Sequence, residues 1–386
     1  MVTELRLTLA AGALAFGLAS VSHAQSELET VAASDPAAVA TAASVAKPPQ
    51  FGTALANAFQ DDAEAVGQFY EGRGYKLYWA EGGRVNALLR RIQEADSEAL
   101  PTVSYDAVGL AELLSAVSDP WLVEMAAMER FLVLGRDLSG GAVDPALVDA
   151  EIDINTSALS APQMLELLDD RDLDGALSEI APSDPAYEAL IEEGRRLGAI
   201  ARQGGWGEAV AEGPTLRLWD AGPRVEALRA RLSSMGLIDS GDPREIAAGL
   251  FDPSLEAAVR AFQRDHGLLD DGAVGSKTLA ALNTSASERL RQVAVNLERL
   301  RWASGDRSDR RVEVNIPGFT ARLIDGGETL WQSRTVVGEP EETRTPEFAD
   351  TMTYLVVNPT WHIPDSIATR VYLPKLQGDP DVLSRN

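Results

Sequence analysis

The sequence predicts an α+β multidomain protein, with two helical units followed by a β-rich one. Three observations carry this. Apolar residues recur at helical spacing from Ala54 to about Gly204, with no strand-like alternation. Three further short helical runs lie between Trp206 and Asn283, bounded by proline and glycine. From about Arg310 the period changes to two: Val312, Val314 and Ile316 alternate with polar neighbours, as do Phe319, Ala321 and Leu323. A length of 386 residues accommodates two or three domains, and 45% hydrophobic residues suffice for their cores.

Taken in order, residues 1–24 read as a secretory signal peptide. Arg6 precedes an apolar run from Leu7 to Val21, and Ser22-His23-Ala24 is a small-x-small cleavage site. The run is short for a membrane span of about 20 residues, and no other segment is apolar enough to cross a bilayer. Residues 25–53, rich in Ala, Ser, Val and Pro, read as a disordered linker. Ser44-x-x-Lys47 within it resembles half of a penicillin-binding signature, but Ser-Asp-Asn and Lys-Thr-Gly are absent.

Residues 54–205 form the first helical unit. In 84–95, Val85, Leu88, Leu89 and Ile92 share one face; in 119–138, Leu122, Met125, Met128 or Glu129, and Leu132 repeat it. Asp170, Asp172, Asp174 and Gly175 fit the start of a calcium loop, but its twelfth position is Ala181, so the bidentate carboxylate is missing. An acidic helix junction is the simpler reading.

Residues 206–285 form a three-helix bundle. Pro223 opens the first helix, with Val225, Leu228, Leu232 and Met235 as its stripe. Asp252 caps the second, whose stripe is Leu255, Ala258, Val259 and Phe262; Ser276 caps the third. Gly275-Ser276-Lys277-Thr278 lacks the spacing of a phosphate loop and follows no strand. A linking helix fills 286–309, and residues 310–386 are β-rich, with strands expected at 312–316, 330–337 and 353–358 and a hairpin turn at Asp325-Gly326-Gly327.

A net charge of −25 argues against nucleic acid and anionic lipid as partners. There is no cysteine, and the three histidines (His23, His266, His362) have no metal-ligand spacing. No metal or cofactor is implied.

Several stretches together carry a family resemblance: 69–95, 136–145, Val259-x-x-Phe262-Gln263, Asp271-Gly272-x-x-Gly275-x-x-Thr278, 295–302, 314–319, 336–348 and 356–368. In this order they resemble the large exported murein L,D-transpeptidases of Gram-negative bacteria. The resemblance implies a scaffold domain, a type-1 peptidoglycan-binding bundle and the N-terminal part of a transpeptidase catalytic domain. It implies a periplasmic protein whose partners are peptidoglycan stem peptides and glycan. In that family a Cys thiolate in a Ser-His-Gly-Cys motif attacks a donor stem peptide, a nearby His sets its protonation, and backbone N–H groups hold the oxyanion.

That machinery is absent from the sequence. His362 lies in Trp-His-Ile-Pro rather than a His-Gly stretch, and no Ser/His pair substitutes. No catalytic residue is therefore assigned; the resemblance implies that the family's Cys and His motifs lie beyond Asn386. The chain is expected to be a fragment interrupted within the catalytic domain, and inactive as it stands. Trp219 and Trp361 are the candidate substrate-binding residues, able to stack on sugar faces, with core packing as the competing reading for each. A non-catalytic peptidoglycan-binding protein is the alternative; a murein hydrolase would need a carboxylate pair or zinc ligands that the sequence does not offer.

Overall fold

The computed structural model describes residues 50–80, 83–116, 119–154, 156, 158–238, 249–303, 310–339, 343–358, 360, 363 and 365–381. The expected signal peptide and the linker up to 49 lie outside these residues, as do Ser44 and Lys47. The described chain forms two compact units, one ending at Phe348 and one beginning at Ala349. Its architecture is α+β, with helices first and strands late.

The first helices are α1 (Phe51–Phe59), α2 (Ala63–Gly72), α3 (Arg84–Glu94), α4 (Ala107–Ser115), α5 (Pro120–Gly140), α6 (Ala161–Asp170), α7 (Leu173–Ile180) and α8 (Pro185–Arg202). Their starts follow from local chemistry. Asp119, Asp172 and Asp184 each accept a backbone N–H in the following turn, and Ser160 with Gln163 closes a capping box on α6.

Two expectations are corrected here. The linker does not extend to residue 53: Phe51 is only 4% exposed and packs edge-on against Tyr70, Tyr75 and Trp121. Burying that ring stabilises by about 2 kcal/mol, enough to hold the helical turn that begins at Phe51 against the core. In α5 the predicted stripe is rotated at its start. Met128 and Leu132 are buried, but Leu122 is 54% exposed, and Trp121 and Glu124 point inward instead. Trp121 docks on Phe51 and Tyr70, which sets the helix's first turn.

The small bundle comprises α9 (Pro223–Ser234), α10 (Pro253–Asp265) and α11 (Ser276–Asn283). Val225, Leu228, Leu232, Leu255, Val259, Phe262 and Leu282 form its core together with Phe251. Ser276 is the first helical residue of α11 rather than its cap; Gly275 stands at the cap and makes no side-chain bond.

The helix α12 (Ala286–Trp302), capped by Ser285 and Glu288, is more than a connector. It packs along α8, with Val293 and Leu297 against Tyr187, Leu197 and Trp206. Arg301 is fully buried: it donates to the Glu98 carbonyl and the Tyr187 hydroxyl, and pairs with Glu298 at 3.0 Å. Burial pushes the Tyr187 hydroxyl up to about 12. Gly141, at φ +91°, ends α5 where a Cβ would lie 2.6 Å from the Trp302 ring. The bundle is therefore inserted between two helices that pair with each other. Its two connecting segments are tied together where they leave and return. Arg231 donates to the Gly207, Glu208 and Leu282 carbonyls, and the Asn283 amide exchanges two 2.9 Å hydrogen bonds with the Val210 backbone.

A two-residue strand β1 (Ile152–Asp153) lies in the first helical stretch. The late strands are β2 (Arg311–Asn315), β3 (Thr320–Asp325), β4 (Glu328–Arg334) and β5 (Glu347–Phe348). β2, β3 and β4 form an antiparallel sheet in sequence order, turning at Gly326 and Gly327, both at positive φ as expected for the Asp-Gly-Gly turn. Val312, Val314 and Trp331 are about half exposed. β5 pairs in parallel with β1, and Arg344 joins Asp149, Glu151 and Glu347 beside it.

In the second unit the expected strand at 353–358 is not formed. Tyr354, Leu355, Val356 and Val357 are exposed, and no ladder includes them among the described residues. An extended segment becomes a strand only when a neighbour takes its N–H and C=O groups, and none is paired with it here. Short helical turns follow at Asp365–Ile367 and Leu373–Gly378. No helix among the described residues is long and apolar enough to cross a membrane.

Candidate functional site on the small bundle

The turn between α10 and α11 is built around one buried amide. Gln263, on the last turn of α10, donates through Nε2 to Asp271 Oδ1 (3.0 Å), the Ala273 carbonyl (2.9 Å) and Thr278 Oγ1 (3.1 Å). Its Oε1 accepts from the Gly272 N–H at 2.9 Å. Asp271 also accepts from the Ala273 N–H, and that bond, then Gln263, holds its carboxyl below the usual carboxylate range. The motif residues Gln263, Asp271, Gly272 and Thr278 therefore shape a rigid turn. The buried Gln263 amide is satisfied within this turn.

This turn is stitched to a second one. Leu216 and Val274 exchange backbone hydrogen bonds of 3.2 and 2.9 Å. The chain then turns through Arg217–Asp220, where Asp220 Oδ2 accepts the Arg217 N–H at 2.7 Å and the Asp220 N–H returns to the Arg217 carbonyl at 3.0 Å. The Trp219 N–H reaches the Phe251 carbonyl, and the Phe251 N–H reaches the Asp220 carbonyl, both at 2.8 Å. Trp219 is held at φ +75° with its side chain 64% exposed.

For Trp219, then, the competing reading of core packing fails: the indole stands in solvent. Trp361 and His362 lie outside the described residues. So does Asn386, the residue beyond which the family's Cys and His motifs are expected, and no catalytic geometry is described at that end of the chain. Arg217, which the sequence reading did not single out, is exposed beside Trp219, and its charge helps to lower the Asp271 carboxyl. Nothing in the composition marks it; the turn leaves both side chains exposed two residues apart. Lys277 is exposed on the first turn of α11.

Other candidates take structural roles. Asp172 caps α7 by accepting the Gly175 N–H at 2.8 Å. His266 stacks on Phe262 with ring centroids 3.9 Å apart, and its Nδ1 lies 2.7 Å from the Phe262 carbonyl; burial lowers its pKa. Among the described residues no group of three His, Cys, Asp or Glu side chains is placed to hold a metal ion. The arrangement can therefore bind through an aromatic face and cations.

Comparison with known proteins places labels on these segments. The model of a scaffold domain matches residues 64–193, that of a peptidoglycan binding domain matches 221–282, and that of the L,D-transpeptidase catalytic domain matches 309–386. Among curated proteins, the chain is 43% identical over 84 residues to the N-acetylmuramoyl-L-alanine amidase CwlM of Mycobacterium tuberculosis, a match covering 20% of each chain. It is 30% identical over 104 residues to a protein assigned as an L,D-transpeptidase in Haemophilus influenzae, covering 27% of this chain and 21% of that one. The chain thus spans about a fifth of the length of the curated relatives it matches.

Proposed function

The chain belongs to the L,D-transpeptidase family, with scaffold, peptidoglycan-binding and catalytic-domain segments in that order, and from this premise we propose that it is an exported, periplasmic protein held on peptidoglycan by its small bundle. The order of the three segments carries this reading. A net charge of −25 argues against nucleic acid as a partner.

The family's chemistry is acyl transfer through a Cys thiolate, which links a donor stem peptide to an amine. This sequence contains no cysteine. The 386-residue chain therefore supplies no such nucleophile, and we assign it binding without turnover. A protein joining these segments to a Ser-His-Gly-Cys motif would carry out the crosslinking.

The test is co-sedimentation of the purified chain with isolated sacculi, followed by mass spectrometry of the released muropeptides. The expected result is retention in the pellet with no new 3–3 crosslinks. A chain that stays in the supernatant overturns the binding assignment; new crosslinks overturn the inactive one.

A further inference from the structure

The Arg217–Asp220 turn contains an unusual choice. Its backbone requires φ of +75° at position 219, a conformation that glycine adopts freely and bulky residues rarely do. Tryptophan stands there instead. The turn imposes the conformation through its four hydrogen bonds among Arg217, Trp219, Asp220 and Phe251. The fold gains little in return, because the indole is exposed and makes no ring–ring or cation–ring contact among the described residues. Strained backbone that a structure maintains without packing benefit is a marker of function.

The surroundings narrow the chemistry. In a chain of net charge −25, Arg217 and Lys277 are exposed cations on the two stitched segments, set among the exposed carboxylates of Asp220 and Asp271. Thr215 lies beside Gly275, adding a hydroxyl next to the same turn. A flat aromatic face bordered by donors suits a sugar ring, whose axial hydrogens lie on an apolar face and whose edge carries hydroxyl acceptors. The cations suit a polymer bearing carboxylates.

We propose that Trp219 and Arg217 are the glycan-contacting residues of the bundle, the indole stacking on a sugar ring and the guanidinium pairing with a carboxylate of the same polymer. This rests on the reading of the bundle as a peptidoglycan-binding module, and it names the ligand class and the surface.

The test uses the full chain and measures sacculus binding and thermal unfolding together for the wild type, Trp219→Gly, Trp219→Ala and Arg217→Ala. Trp219→Gly relieves the backbone conformation, so its Tm rises, while its affinity for sacculi falls about three- to tenfold, the range of one aromatic contact. A residue with only a structural role would not move stability and binding in opposite directions. Arg217→Ala weakens binding at low salt, and the difference shrinks as salt is raised. Glycan strands stripped of stem peptides compete with sacculi for the wild type.

The outcomes separate the two levels of the argument. If the wild type does not bind sacculi, the module reading fails. If it binds and both Trp219 variants bind equally well, that reading stands and the present proposal is wrong. If Trp219→Gly weakens binding but stripped glycan does not compete, the surface recognises stem peptide and the sugar assignment is overturned.

Discussion

Glu124 is the most demanding buried group in the first helical unit. It lies fully buried on α5 and accepts four groups: the Tyr70 hydroxyl at 2.9 Å, the Trp79 N–H at 3.0 Å, the Ala80 N–H at 3.3 Å and the Tyr78 N–H. It thereby closes the loop between α2 and α3 from beneath. In Glu124→Ala those donors lose their acceptor in a place water does not reach. At about 1–3 kcal/mol for each buried unsatisfied group, and allowing for partial relaxation, the loss is about 3–6 kcal/mol. For a unit of this size that lowers Tm by about 10 °C or more. Glu124→Gln keeps one oxygen and should lose less than half as much. Burial raises the Glu124 carboxyl above its ordinary 4.5, outweighing the opposing hydrogen bonds from Trp79, Tyr78 and Tyr70. A folded pKa raised in this way gives stability that is complete below the unfolded value and is lost as pH rises through the folded one. The gap between wild type and Glu124→Gln therefore narrows as pH rises from about 4.5. Thermal melts by circular dichroism measure all three proteins. A Tm for Glu124→Ala within about 2 °C of wild type would refute the account.

Three further outcomes follow from the same geometry. Arg301→Met removes the buried cation that α12 presents to Glu98, Tyr187 and Glu298; leaving those partners uncompensated costs about 3–5 kcal/mol, read as faster amide exchange across residues 286–302. Gln263→Leu strands the Gly272 N–H and costs the bundle about 2–4 kcal/mol, visible as new proteolytic cleavage between 270 and 275. Arg344→Ala dissolves an exposed, salt-screened ion-pair network; amides at 347–348 exchange faster, about 1 M salt does the same to wild type, and the hairpin at 311–334 is unaffected.

Much of this fold was legible because its signals are local. The stripe Leu255, Ala258, Val259, Phe262 went straight into the bundle core, and the Asp-Gly-Gly turn formed as its residues require. What stayed hidden depended on distant partners. Phe51 reads as the end of a linker until Tyr70, Tyr75 and Trp121 are in place around it. The register of α5 shifted because Trp121 found an aromatic socket, which no count of apolar spacing contains. Residues 353–358 have strand composition, yet a ladder needs a neighbour as well as a propensity. The candidate site shows the same division. Gln263 and Asp271 were visible as motif positions, whereas the exposure of Trp219 arises from a turn whose conformation is fixed by Phe251, some thirty residues away in sequence.

Because the bundle departs from α8 and rejoins at α12, it hangs from two covalent tethers instead of one. A module on a single tether can swivel and decouple from what it is attached to. With two tethers cinched by Arg231 and Asn283, twisting the bundle must shear the pair of helices below it. Tension applied to the far end of the bundle would then arrive as torque on α8 and α12, at the place where Arg301 is buried and just before the chain enters the β-rich segment.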